Sequence, residues 1–308
     1  MEMIHVKGNT FCIDTGMTYV PFYKINDKEI VMLDSGWAKG EREGIDSIIE
    51  ENNFTVSGII CTHFHMDHVS NCGYLKKKFN CQIAMPAYEA FICDSATNLK
   101  MYYSTQTMTD VKEYYGQGIF KTDIMISKDE TEIIMNDNKF KILQIPGHSP
   151  AHIGIITPDD VAYVADSLIS YEVMAGAKMP YAYILSEDLA SKNKLYNLNC
   201  SKYIVAHKGI YSQITQLIED NIVFYKSRAR GVYSVIKKPM TVDDILKACV
   251  EKFQINVKTN YKYNFMQRML RSYVEYLDEI GMIKLEVKDG FQKYSRTDNN
   301  MSGEKIME

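Results

Sequence analysis

Through its first half the chain alternates short apolar, β-branched runs with stretches whose apolar positions recur at helical spacing. Residues 10–14, 18–24 and 29–34 read as strands, the last running into a turn at "LDSG". "EREGIDSIIEENN" follows, with acidic residues early and Ile45, Ile48 and Ile49 on one helical face, and it gives way to the apolar strand of "FTVSGIICTH". "GYLKKKFN" then reads as a helix and "CQIAMP" as a strand, so the order is βαβα.

From 87 to about 117 the pattern is helical and rich in Met and Tyr, including Met101, Tyr102, Tyr103, Met108, Tyr114 and Tyr115. Such an insertion is either a helical cap with a buried face or an aromatic wall over a cleft. A second half then begins: a hairpin around "MNDNK", two short apolar strands, a strand near Ile204, and a helical stretch predicted over 210–236. Pro239 stops that helix and Thr241 can cap a new one, which divides the chain into 1–237 and 238–308. In the tail, "TVDDILKACVEKF" predicts a short helix. A longer helix places Phe265, Met269, Tyr273, Leu277 and Ile280 on one face, and a hairpin turns at Asp289-Gly290. Helix, longer helix, hairpin resembles a winged helix, and "NNMSGEKIME" reads as a frayed end.

Composition narrows the function classes. With 308 residues, 46% of them hydrophobic, the chain can bury a large core. A net charge of −4 gives no overall attraction to nucleic acid or anionic membrane. The tail carries 12 Lys plus Arg against 11 Asp plus Glu, so packing or homodimerisation explains it better than nucleic-acid binding. The start "MEMIHVKGNTFCIDTG" lacks a leader-like pattern and no apolar run is long enough to span a bilayer, which predicts a cytoplasmic protein. Seven cysteines without a C-x-x-C pair predict reduced, mostly buried thiols.

The chemistry concentrates in "CTHFHMDHVSNCGYL", where a buried strand ends and three of the seven histidines fall together. His63 and His65, two apart on extended backbone, leave on the same side, while Asp67 and His68 fall at the turn into a helix. Imidazole beside carboxylate is a common donor set for divalent metals. His148 in "PGHSPAH", Asp166 in "YVADSL" and His207 in "VAHKG" each follow an apolar strand, where chain ends gather along one sheet edge.

This series, H-x-H-x-D-H followed by a lone His, an Asp and a late His, resembles the metallo-β-lactamase superfamily over roughly residues 1–236. "LDSG" resembles that family's structural aspartate turn. The resemblance implies an α/β fold, an αββα sandwich with two metal ions at one edge. His63, His65 and His148 would hold one ion, Asp67, His68 and His207 the second, and Asp166 would bridge them. His152 would be structural rather than a ligand, and His5 a strand or surface residue. Ser70 and Asn71 depart from the Gly-Gly of many relatives, which bears on how closely substrate approaches that turn.

Two divalent ions, zinc first and iron or manganese also suited, would supply a hydroxide at neutral pH for hydrolysis, with Asp67 in the catalytic role of orienting it or moving a proton. The Tyr-rich insertion and "VMAGAKMPYAYIL", with Tyr181 and Tyr183 near a rim, favour a small-molecule ester, thioester or lactone as substrate. A metal-dependent endoribonuclease or phosphodiesterase is the alternative. A non-enzymatic DNA-binding sensor of metal or redox state would explain the tail but not seven ligands.

Overall fold

The computed structural model describes residues 1–297 and 306–307. The first sheet has seven strands in chain order: β1 (Glu2–Lys7), β2 (Thr10–Asp14), β3 (Tyr19–Lys24), β4 (Glu29–Leu33), β5 (Thr55–Ile60), β6 (Gln82–Pro86) and β7 (Ile124–Ile126). Pairing is antiparallel as far as β4 and parallel from β4 to β7, because helices make the later crossovers. Those connections are α1 (Ala38–Glu51), α2 (Met66–Val69), α3 (Cys72–Phe79), and the insertion helices α4 (Ala87–Cys93), α5 (Ala96–Tyr102) and α6 (Met108–Tyr115).

The second sheet has six strands, ordered β13-β12-β11-β10-β9-β8. They are β8 (Glu132–Met135), β9 (Asn138–Gln144), β10 (Ile153–Ile156), β11 (Val161–Ala165), β12 (Lys202–Val205) and β13 (Gly209–Tyr211). Asn136 and Asp137 both take left-handed backbone (φ 49° and 61°), so the two-residue turn between β8 and β9 matches strand twist. On this side lie α7 (Tyr171–Gly176), α8 (Leu185–Lys194) and α9 (Thr215–Val235). The helix expected from 210 therefore starts later, since Gly209–Tyr211 pairs with β12 as an edge strand. The strands β1 and β7 and the helices α7 and α8 carried too few periodic positions to be read in advance.

The two sheets face each other over a core that includes Val31, Leu33, Ile60, Phe140, Ile155, Tyr163 and Ile204. Outside the first sheet, Ile45, Ile49, Val69 and Leu75 of the helices pack against Ile59 and Ile83. Outside the second, Leu195, Leu217 and Ile218 cover Ala162 and Val164. The result is the expected helix, sheet, sheet, helix layering.

The tail comprises α10 (Val242–Phe253), α11 (Asn260–Glu279) and a hairpin of β14 (Ile283–Lys288) and β15 (Phe291–Arg296), with Met240 bridged to Tyr294. Thr241 caps α10, its hydroxyl accepting from Asp244 N–H while the Asp244 carboxylate accepts from Thr241 N–H. Met269, Leu270, Tyr273 and Leu277 of α11 share one core with Leu185, Leu189, Tyr225 and Val232. The frayed end expected from 299 lies outside the described residues except at Ile306 and Met307, and Ile306 is buried in that same core. All seven cysteines are buried and unbridged, and among the described residues no helix is long and apolar enough to cross a membrane.

Candidate metal centre

Every residue singled out as a ligand follows the carboxyl end of a strand. β5 leads to His63, His65, Asp67 and His68, β9 to His148, β11 to Asp166 and β12 to His207. Two local devices aim them. Gly147 has φ +121° and a Cβ there would meet the Asp188 backbone nitrogen at 2.1 Å, so only glycine lets the loop bearing His148 pass the start of α8. Ala165 takes φ 46° where the register of β11 against β12 shifts, which turns Asp166 out of the strand toward the edge.

The side chains converge. His65 Nδ1 lies 3.0 Å from His63 Nε2 and 3.0 Å from His148 Nε2. Asp166 Oδ2 is 3.3 Å from both His148 Nε2 and His207 Nε2, and Oδ1 is 3.4 Å from His68 Nε2. Asp67 Oδ2 stands 3.4 Å from His207 Nε2 and 3.8 Å from His68 Nε2. Two donor sets result, His63, His65, His148 with Asp166 and Asp67, His68, His207 with Asp166; within each, all donor atoms lie within 4.8 Å of one another. His152 belongs to neither, its Nε2 accepting the Asp166 backbone N–H at 3.3 Å, and His5 sits exposed on β1.

The donor chemistry fits a divalent ion. Burial first, and neighbouring imidazoles second, hold His63 and His65 well below the usual histidine pKa, which leaves neutral rings with lone pairs to share. Neutral nitrogens 3.0 Å apart repel unless a proton or cation lies between them. His68 Nε2 and Asp166 Oδ1 are buried without a hydrogen-bond partner, an arrangement costly for polar atoms that no ligand satisfies. Burial would raise the Asp166 and Asp67 carboxyls, but His207 and His68 outweigh it and hold both below the usual carboxylate range. His207 in turn is pushed up to about 10, chiefly by Asp166. The two carboxylates make a well of negative potential that draws protons onto His207 and His68, places a cation could take, while His63 and His65 face it with lone pairs.

A second layer orients this set. The Asp34 carboxylate accepts from Thr62 N–H (2.7 Å), Thr62 Oγ1 (2.8 Å), Tyr163 Oη (2.8 Å) and His68 Nδ1 (2.8 Å), which points His68 Nε2 at the site. Glu89 on α4 ties the two histidine loops together, accepting from Phe64 N–H (3.2 Å), Ser149 Oγ (2.6 Å) and Ala151 N–H (2.7 Å). Ser70 and Asn71, at the positions of the missing glycines, turn toward the loop before α1: Ser70 Oγ accepts from Ala38 N–H (2.7 Å) and Asn71 Oδ1 from Arg42 Nε (2.8 Å).

The model of the metallo-beta-lactamase superfamily matches residues 13–207, which include every one of these donors. The chain belongs to that superfamily. Among curated relatives, a hydroxyacylglutathione hydrolase of Haemophilus influenzae is 26% identical over 198 residues, covering 62% of this chain and 85% of its own length. Another, of Wigglesworthia glossinidia brevipalpis, is 28% identical over 133 residues, 43% of this chain and 40% of its own. A beta-lactamase domain protein of Burkholderia ambifaria superposes with a TM-score of 0.71 at 16% identity, covering 96% of this chain and 94% of that one, which speaks to fold alone.

The superfamily site opens into a cavity of about 500 Å³. His65, Asp67, His148, Asp166 and His207 form its floor, and Met179, Tyr181, Tyr103 and Tyr115 its walls. Both readings of the Tyr-rich insertion hold together, since Tyr103 and Tyr115 are buried and also face the cavity. Tyr181 packs its ring 5.3 Å from His65 and 5.4 Å from His148, whereas Tyr183 stacks on Tyr102 outside the lining. Another wall comes from α11: Tyr261, Phe265, Arg268 and Met269. Arg268, which the sequence reading did not place at the site, lines this cavity. The only available signal was its place beside Phe265 and Met269 on the apolar face.

Proposed function

We propose that this protein is a metal-dependent hydrolase, a reading that the superfamily and its relatives support. We propose that this one is binuclear and cleaves thioesters of small organic acids, with esters and lactones as poorer substrates. The carrying observation is the Asp166 carboxylate shared between two complete donor sets at the floor of a largely apolar cavity. His63, His65 and His148 would hold one ion and Asp67, His68 and His207 the other, a set that suits zinc. When bound, two such ions supply Lewis acidity, lowering the pKa of water and polarising an acyl oxygen. Asp67 Oδ2, close to both His207 and His68, is placed to orient water and accept its proton. Tyr181 closes one side of the acyl site and the aromatic walls limit competing water.

We read residues 238–308 as a winged-helix-like module whose task here is to complete that cavity. The relatives named as thioester hydrolases support the substrate class. The protein is expected to carry about two equivalents of transition metal, and Asp166→Ala to lower occupancy of both sites. Elemental analysis, followed by thioester, lactone, cephalosporin and phosphodiester assays, tests this; failure to bind metal after reconstitution rejects the proposal.

A further inference from the structure

The proposed chemistry makes no use of Arg268, which among the described residues is the one cationic side chain of the cavity wall outside the histidine cluster. Arg268 comes from α11 with its guanidinium 4.3 Å from the ring centre of Tyr102, 4.6 Å from that of Tyr103 and 5.5 Å from that of Tyr181. Its Nη2 donates to Tyr181 Oη at 2.8 Å, and Tyr181 Oη is 2.6 Å from Tyr102 Oη. Among the described residues no carboxylate comes within ion-pair distance of it. The cavity's two carboxylates, Asp67 and Asp166, are engaged in the donor sets.

A half-buried guanidinium has five N–H donors, and aromatic faces satisfy its charge only in part. Proteins pair such a group with an anion or leave it in open water, and here the free direction is the cavity itself. Apolar surface from Phe265, Met269 and Met179 lines the same space. We infer that the substrate carries an oxyanion group, separated by a short apolar spacer from the bond that is cut, and that Arg268 binds it. This inference rests on the thioester-hydrolase reading and adds a specificity-determining residue supplied by the tail.

The oxyanion could sit on the acyl part or on the thiol part of the substrate, so the test has two arms. In the first, metal-loaded protein is assayed on the glutaryl and valeryl thioesters of N-acetylcysteamine. In the second, valeryl thioesters of mercaptopropionate and N-acetylcysteamine are compared. In one arm the anionic substrate is expected to be preferred in kcat/KM by about 10- to 100-fold, the range for a charge-assisted hydrogen bond. Arg268→Gln should bring that preference near unity, mostly through KM, and Arg268→Lys should restore part of it. A purely structural arginine would lower both substrates equally. A preference absent from both arms, or one that survives in Arg268→Gln, overturns the inference.

Binding gives a readout independent of turnover. Trp37 is the chain's single tryptophan and lines this cavity, so its fluorescence reports ligands there. Glutarate should saturate the signal in the wild type, with affinity at least about tenfold weaker in Arg268→Gln, and neutral pentanamide should not distinguish the two. Equal glutarate affinity in both proteins overturns the inference. Hydrolysis separates the two readings: a wild type that cleaves no thioester while still binding glutarate through Arg268 refutes the hydrolase reading and leaves the anion site standing.

Discussion

Asp34 shows how much one side chain can decide. Its buried carboxylate accepts four hydrogen bonds from three residues, Thr62 and His68 in the stretch after β5 and Tyr163 on β11. The residue itself takes φ 65°, a conformation with a real backbone cost that these bonds offset. Asp34→Ala would leave several buried donors unmet at once. The expected loss is about 3–5 kcal/mol of stability, measured by denaturant unfolding, together with a larger loss of metal at the set containing His68 than at the set containing His65. A loss under about 1 kcal/mol with metal content unchanged would show that Asp34 does not hold the site. The sequence marked Asp34 as a turn residue, but Tyr163 lies 129 positions away, and nothing local announces that partner.

At the scale of elements, α4 matters because Glu89 fastens the loop bearing His63 and His65 to the loop bearing His148. Burial raises the Glu89 carboxyl from about 4.5 to about 7, against the pull of its donors Ser149, Ala151 and Phe64. A carboxyl with a raised folded pKa binds more protons in the native state, so its contribution is fully present below the unfolded pKa and is lost as pH rises through about 7. The stability difference between wild type and Glu89→Gln, followed by urea unfolding, should therefore shift against the wild type by roughly 1–3 kcal/mol between pH 5 and pH 8. A difference independent of pH would contradict this. The helices and strands with clear periodicity, α1, α3, α10 and α11 among them, were legible in sequence. The short α7 was not, because none of its residues is buried and it has no apolar stripe to read.

For the whole molecule the question is what the tail is to the rest. Tyr273 Oη donates to Pro180 O at 2.7 Å, and Met269, Leu270 and Leu277 lie in one core with Leu185 and Tyr225. Every proposed ligand nevertheless precedes residue 238. Deleting 238–308 should leave the donor sets intact in sequence yet expose apolar surface on α8 and α9. The expected result is a protein whose melting temperature drops and which self-associates, while the metal bound per soluble chain changes much less. Calorimetry, light scattering and elemental analysis together check this, and a truncated protein as stable and monodisperse as the full chain would refute it. With a net charge of −4 and Arg268 turned inward, the intact protein should show little salt-sensitive binding to single-stranded RNA.

By itself the sequence determined the family resemblance, the order of strands that carry the candidate donors and the identity of all seven residues that converge. Metal chemistry restricts donors to a few residue types, and strand ends place them at predictable points, so a linear pattern survives folding. It also contained the tail's helix, helix, hairpin order, because amphipathic periodicity and capping are local. Only the tertiary structure decided the rest: that Asp34 and Glu89 brace the loops from behind, that the tail shares a core with the catalytic part, and that Arg268 faces the site. Those facts depend on contacts between residues tens to more than a hundred positions apart, and no periodicity within a segment encodes which distant surface will cover it.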